Sequence, residues 1–456
     1  MIDPVWASAA ELGDAYRSGA ASPVAVVQAL LARIEKLEPG LNAFIRRETD
    51  TALLSAVESE ARWKQGKPLS AIDGVPYGLK DVIDAAGQPT TCHSKLRLNH
   101  IAAHDARVTG LLRQAGAVLM GKLATHEFAL GGPSFDLPFP PARNPWNRDY
   151  HPGGSSSGAG VAVAAGMLPF ALGTDTAGSI RNPAGACGVV GLKPTYGLLP
   201  RDGVFPLAPS LDHVGPLCRS VADAALLLDL LSEGRPGHRS DGNSYRMDID
   251  SGLAGIRIGV VQAFIDLCES QVAKALQHAI AVLRDAGAVI APVDLPDLAF
   301  LQTVNRVILQ AEGWSIHAGD LRQRAGDYAA STRKRLLPGA FLSAEDLLQA
   351  QRQRRRMIAA MQQALSGIDI LLVPNSFDPI CRIDDEVALQ HGYARQARAP
   401  FNLTGHPAIA LPIGFCDQGL PISVQLAGRY FDEALLLRAA RGLEQIVSWR
   451  EARPNL

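Results

Sequence analysis

The chain has 456 residues, with 44 Lys and Arg against 45 Asp and Glu, a formal net charge of −1 and 47% hydrophobic residues. That balance signals no nucleic-acid partner and no acidic membrane surface, and the apolar content suits a large globular core. Six scattered cysteines (Cys92, Cys187, Cys218, Cys268, Cys381, Cys416) without a CxxC, and histidines without HExxH spacing, argue against a disulfide scaffold, a zinc site or metal dependence and fit a reducing compartment.

The N-terminal MIDPVWASAAELGDAY lacks a basic stretch followed by an apolar one, so no signal peptide is read. Residues 8–18 read as a short helix with a Ser8–Glu11 capping box. Ser22-Pro23 opens an amphipathic helix with Val24, Val27, Leu30, Leu31, Ile34 and Leu37 on one face, and Pro39-Gly40 is expected to end it. Strands are expected at 43–45, at 74–82 with Lys80 near its end, and at 117–120 after a helix over 108–115. Residues 144–152 form a Pro/Asn turn, 158–166 a buried helix of small residues and 169–172 a strand. The apolar run near Val161 is broken by Gly166 and Pro169 and is too short to cross a membrane. Residues 256–261, 269–285 and 289–293 read as a βαβ unit. A basic amphipathic helix spans 344–365, strands follow at 368–373 and 422–426, and a helix over 433–446 closes the chain. Residues 233–252 form an insertion or boundary loop. Strands and helices alternate throughout, which makes the class α/β, and a cytoplasmic location is expected.

The segment from Gly153 to Thr195 is crowded with glycine and serine, yet apolar runs (Val161–Ala165, Met167–Leu172) interrupt it and ask to be buried. Hydroxyls on permissive backbone inside a core suggest a site. Amide hydrolysis without metal needs a nucleophile, a base and fixed donors for the oxyanion. In TDTAGSIR, the backbone of Thr176, Ala177, Gly178 and Ser179 can offer consecutive N–H groups around the Ser179 hydroxyl. Ser155 lies in GGSSSG. Lys80 serves as a base if burial keeps it neutral.

Blander readings stand beside these. At least one of Ser155, Ser156 and Ser157 is expected to cap the following helix. GSSSG also fits a nucleophile elbow centred on Ser156, which would need Asp212, His213 or His406 as partners. GAVLMGK (116–122) nearly matches a phosphate loop, but Leu123 stands where Ser or Thr is needed, so a buried strand is expected. His213 and His406 read as hydrogen-bonded structural residues, Cys187 as packing, and the basic run Arg352–Met357 as a solvated helix face.

Three motifs taken together (GVPYGLKD at Lys80, GGSSSGAG at Ser155 and GTDTAGSIRNPAGACGVVGLKPT at Ser179) resemble the amidase signature family. Ser155 follows Lys80 by 75 residues and Ser179 follows Ser155 by 24, and these separations also match. The likeness extends through AGAVLMGK, ARNPWN, SLDHVGPLCRSVADAALLL, DILLVP and APFNLTGHPAIALPIGF to GLPISVQLAG, nearly the whole chain. The resemblance implies a large mixed, twisted sheet covered by helices on both faces. It implies one domain over 1–456, with the motifs in 70–220 and with 253–456 completing the sheet and pocket. It further implies a Ser–cis-Ser–Lys triad: Ser179 as acyl nucleophile, Ser155 after a cis peptide as bridge, and Lys80 as base. The oxyanion hole would come from the backbone of Thr176, Ala177, Gly178 and Ser179, with Asp175 and Arg181 bracing the loop and Ser156 holding the hydroxyl network. Ala177 departs from the glycine found in many members and must keep an allowed φ.

The activity implied is cofactor-free hydrolysis of a small, aryl or apolar carboxamide, with a homodimer as the assembly considered. Carbamates, urethanes and ureides share the carbonyl geometry. Selectivity is expected from segments 130–141, 314–342 and 377–393. The alternative of another class is the glutaminase component, the A subunit, of glutamyl-tRNA amidotransferase, which GLKPTYG and SLDHVGP resemble. Against it, RKRLLPGAFLS (333–343) is read as lacking the RRIMLGT-like segment whose arginine would hold the glutamine α-carboxylate.

Overall fold

The computed structural model describes residues 2–232, residue 234 and residues 244–456. Half of the boundary expected at 233–252 (233 and 235–243) thus lies outside the described residues, and its last part, 245–251, is a run of turns and bends. Among the described residues, eleven strands make one mixed sheet: β1 (Phe44–Arg47), β2 (Pro76–Lys80), β3 (Val118–Leu123), β4 (Phe170–Asp175), β5 (Val190–Lys193), β6 (His213–Cys218), β7 (Arg257–Val260), β8 (Val289–Pro292), β9 (Ile370–Pro374), β10 (Ala408–Phe415) and β11 (Pro421–Gly428). Their spatial order is β1-β3-β2-β4-β6-β5-β10-β11-β9-β7-β8, and helices clothe the sheet. β2 runs parallel to β3 and β4, and β7 runs parallel to β8 and β9, while the other pairings are antiparallel. No helix among the described residues is long and apolar enough to cross a membrane.

Local chemistry sets most of the elements. The Ser8–Glu11 capping box forms, and the helix Ala9–Ser18 stops at Gly19 in the left-handed region. The helix opened by Ser22 differs from expectation at its far end. It runs Pro23–Leu41 through Pro39 and stops at Asn42, whose φ is +50° and whose N–H donates to the Glu38 carbonyl. Pro39 lacks the N–H that would bond the carbonyl one turn back, yet the helix continues past it to Leu41. The expected βαβ unit forms as β7, the helix Ser270–Asp285 and β8.

β5, β6 and β10 are not anticipated from the sequence. β6 (HVGPLC) and β10 (AIALPIGF) contain proline, which ordinarily demotes a strand. In β10 the pairing with β11 shifts register between Pro412 and Gly414, so the irregularity is absorbed by a bulge. Every residue of β2, β4, β5 and β6 is buried, as expected for central strands covered on both faces.

This topology positions the site. β2 and β4 are parallel neighbours, so Lys80 at the end of β2 and Thr174-Asp175 at the end of β4 emerge at the same edge of the sheet. Carboxyl ends of parallel strands are where α/β sheets usually hold their ligands.

Candidate active site

Lys80 is fully buried on the last position of β2. Its Nζ donates to Ser155 Oγ at 2.7 Å and to Thr174 Oγ1 at 2.8 Å. Burial pushes its pKa down to about 7, against the opposing pull of Asp175 and Asp212. Asp212 is itself pushed up to about 6 by burial and accepts from Thr176 Oγ1 at 2.6 Å. Thr174 is a partner the sequence reading missed. Its place two residues short of the loop, in a strand next to β2, was the only signal.

The peptide bond between Gly154 and Ser155 is cis. A Cβ on Gly154 would lie 2.1 Å from Cε1 of His126, so only glycine lets the chain pass this ring. The His126 N–H donates to the Ser155 carbonyl at 3.1 Å, and the Asn182 side chain donates to the Gly154 carbonyl at 3.2 Å. Burial, with help from the neighbouring His151, holds His126 neutral. None of the three serines caps the next helix, Ser157–Ala164, through its side chain. Ser156 Oγ instead donates to the Thr174 carbonyl and accepts from the Thr174 N–H, each at 3.2 Å. Ser156 thus pins the strand end that carries the Lys80 partner, and it faces no histidine as an elbow nucleophile would.

Ser179 sits half-buried in the loop between β4 and the helix Arg181–Cys187. Its carbonyl accepts from the Ser156 N–H at 3.2 Å, which ties the two serine loops together. The Asp175 carboxylate organises the turn. It accepts from the N–H groups of Gly178 (2.7 Å), Ile180 (3.1 Å) and Arg181 (3.4 Å), and from Arg181 Nε (3.0 Å) and Nη2 (2.9 Å). Burial works against its charge, yet the Arg181 guanidinium outweighs burial and holds the carboxyl well below the usual carboxylate range. Arg181 also donates to the Arg398 carbonyl, Gln425 Oε1 and Asn402 Oδ1. One consequence narrows the expected oxyanion hole. The Gly178 N–H is occupied by Asp175, which leaves those of Thr176, Ala177 and Ser179. Gly178 has a φ of +119°, whereas Ala177 stays out of the left-handed region, so its methyl group is tolerated.

Ser155 and Ser179 open on a cleft shared with Gly154, Thr176, Ala177 and Gly178. Each segment expected to set selectivity supplies lining: Leu130 and Gly131 from the first, Arg335 from the second, Tyr393 from the third. Arg335 corrects one reading. The segment 333–343 does bring an arginine to the cleft, from the helix Ala330–Leu336. His126, Leu309, Gln396 and Arg398 also line it and were not singled out from the sequence. Arg398 had no local signal, because its helix, Ala399–Thr404, has only six residues.

The remaining candidates lie elsewhere. Lys122 is a buried strand residue, 3.1 Å from Asp81 and bonded to Thr90. His213 Nδ1 lies 2.7 Å from the Leu211 carbonyl, and His406 Nδ1 lies 3.0 Å from Thr404 Oγ1. Cys187 is buried beside the Pro152 carbonyl, and burial raises its thiol pKa. On the basic helix Ala344–Ala364, Arg352, Arg355 and Arg356 are solvated. Arg354 is not: it donates to the Leu403 and Ser210 carbonyls.

Comparison with known proteins places this geometry in context. The Amidase family model matches residues 25–437. The A subunit of the glutamyl-tRNA(Gln) amidotransferase of Roseiflexus sp. (strain RS-1) is 35% identical over 97% of each chain. Among solved structures, a chain from a vestigial protein complex that reveals the evolutionary origins of an s-triazine catabolic enzyme is 33% identical. It has a TM-score of 0.90 over 99% of this chain and 100% of its own. The peptide amidase of Stenotrophomonas maltophilia is 30% identical, with a TM-score of 0.86 over 98% of each chain.

Proposed function

The chain belongs to the amidase family, an enzyme acting on carbon–nitrogen bonds, and from that premise we propose that it hydrolyses a small carboxamide through an acyl-enzyme on Ser179. The observation that carries this reading is the buried Lys80–Ser155 hydrogen bond at the floor of a cleft that Ser179 enters. A lysine with a pKa near 7 is substantially neutral at physiological pH and can accept a proton. Ser155 would pass the Ser179 proton to Lys80 as Ser179 attacks the carbonyl. The N–H groups of Thr176, Ala177 and Ser179 are the donors left for the oxyanion. The same relay returns the proton to the departing nitrogen, and water then releases the acid. Every step uses side chains and backbone of this chain and calls for no cofactor.

A second reading is favoured by the relatives, several of which are the A subunits of amidotransferases. In it the chain is a glutaminase that needs partner subunits, and Arg335 lies where a substrate carboxylate could be met. The test uses the purified chain alone at mildly alkaline pH. Product release from an aryl anilide, a short aliphatic amide, an aryl carbamate and glutamine is compared, with Ser179→Ala as blank. Turnover of the simple amides supports the free-standing hydrolase. Silence on all but glutamine, or activity only when partner subunits are added, moves the weight to the second reading.

A further inference from the structure

His126 differs from the other buried histidines. Among the described residues, His93, His151, His213, His317 and His406 each have a ring nitrogen in a hydrogen bond with the protein. The His126 ring has none, although the residue is only 6% exposed. Its nitrogens are not sealed from the space around them. A Cβ on Gly154 would meet Cε1 at 2.1 Å, Nε2 at 2.3 Å and Nδ1 at 2.8 Å. The ring edge that bears both nitrogens is therefore turned toward the backbone just ahead of Ser155, and the ring lines the cleft with Ser155 and Ser179. It also borders a smaller pocket, whose other polar side chains, His93, Thr125, Ser134, His151 and Ser157, all have protein partners. Burial, with the neighbouring His151 and Lys80, keeps the His126 ring neutral, so it offers one N–H and one lone pair. Buried polar groups left unpaired by the protein are ordinarily satisfied by a water that has further polar contacts.

We propose that His126 holds the water that hydrolyses the acyl-enzyme, an inference that rests on Ser179 being the acylated nucleophile. The leaving nitrogen departs beside Ser155, which hands it a proton, and water takes that place afterwards. The lone pair of the ring accepts one hydrogen of this water, Ser155 takes the other, and the oxygen faces the acyl carbon. As the new C–O bond forms, the second hydrogen passes as a proton through Ser155 to Lys80. The ester C–O bond to Ser179 then breaks, and the proton returns along the same path to Ser179 Oγ. His126 neither gains nor loses a proton, and its contribution is orientation. Neutrality matters, because an imidazolium has no lone pair to offer the water.

The test gives the full chain p-nitrophenyl acetate as an acylating probe and compares the parent with His126→Leu and His126→Gln. Release of p-nitrophenolate follows turnover, and the intact mass of acid-quenched protein follows acetyl-Ser179. His126→Leu should lower kcat at least about tenfold while kcat/KM, which reports acylation, changes less than about threefold. KM then falls with kcat, and acetyl-Ser179 accumulates. His126→Gln keeps a donor and an acceptor and should recover part of kcat. Hydroxylamine attacks the ester without needing to be held, so it should speed His126→Leu more than the parent. Equal falls in kcat and kcat/KM in both variants, an unchanged kcat, or no gain from hydroxylamine overturns the inference while leaving Ser179 as nucleophile. If neither the parent nor the variants take an acetyl group on Ser179, the nucleophile reading itself fails.

Discussion

Lys80 shows how much of a residue's chemistry is set by where it is placed. On a surface its amine would stay protonated far above neutral pH, but at the end of a buried central strand its charged form is desolvated. Since its pKa is lowered toward 7, the basic form gains as pH rises through that value. We expect kcat/KM to climb from pH 6 toward a plateau above pH 8, and a flat profile from about pH 6 to 9 would contradict Lys80 as base. Ser179→Ala and Lys80→Ala should each abolish turnover, measured as ammonia or amine release. Near-normal activity in Ser179→Ala would remove the nucleophile assignment. Ser155→Ala should lower kcat by about 10² to 10⁴-fold, the range typical of positioned proton transfer.

At the scale of elements, two short loops carry the site, and both depend on glycine at a tight contact. The first passes His126 at Gly154, and Gly154→Ala forces the His126 ring or the loop to move. A displacement of about 1 Å there should cost about 10²-fold in kcat. Thermal melting of the same variant separates this loss from unfolding: a large drop in Tm would mean that the substitution disrupts packing rather than alignment. The second loop is held by the Asp175 carboxylate, which draws the Gly178 N–H inward and shapes the turn around Ser179. The helix Ser157–Ala164 follows the serine cluster, but its first-turn hydroxyls serve the neighbouring strands instead of the helix end. Capping propensity is a local preference, and here tertiary hydrogen bonds override it.

For the molecule as a whole, Arg181 is the tie between distant parts of the chain. It links the end of β4 to Gln425 on β11 and to Arg398 and Asn402 around the helix Ala399–Thr404. Arg181→Met would leave the Asp175 carboxylate buried without its counter-charge. We expect about 3–5 kcal/mol of lost stability in urea unfolding, the range for breaking one side of a buried pair. Arg181→Lys should recover only part of it, because an ammonium cannot reproduce the fork. A variant as stable as the parent would show that the network contributes nothing net.

Lys80, Ser155 and Ser179 were legible because each sits in a short motif whose residue types already specify the local backbone. The Ser8 and Ser22 helix starts were legible for the same reason, since a cap is made by neighbours in sequence. Positions whose meaning depends on remote partners were not. β6 was not anticipated, and it forms with Pro216 inside it because β4 and β5 close around it; Thr174 gained its contact with Lys80 only when β2 came alongside. Arg398 carries no local signal, and only the fold brings it and Arg335 to the cleft that Ser179 enters. The amino-acid sequence by itself singled out Lys80, Ser155 and Ser179 as candidates, because their motifs are local. Only the tertiary structure decided that Lys80 is buried and its pKa lowered, that Asp175 takes the Gly178 N–H, and which remote residues line the cleft, because burial and long-range pairing are properties of the packed chain.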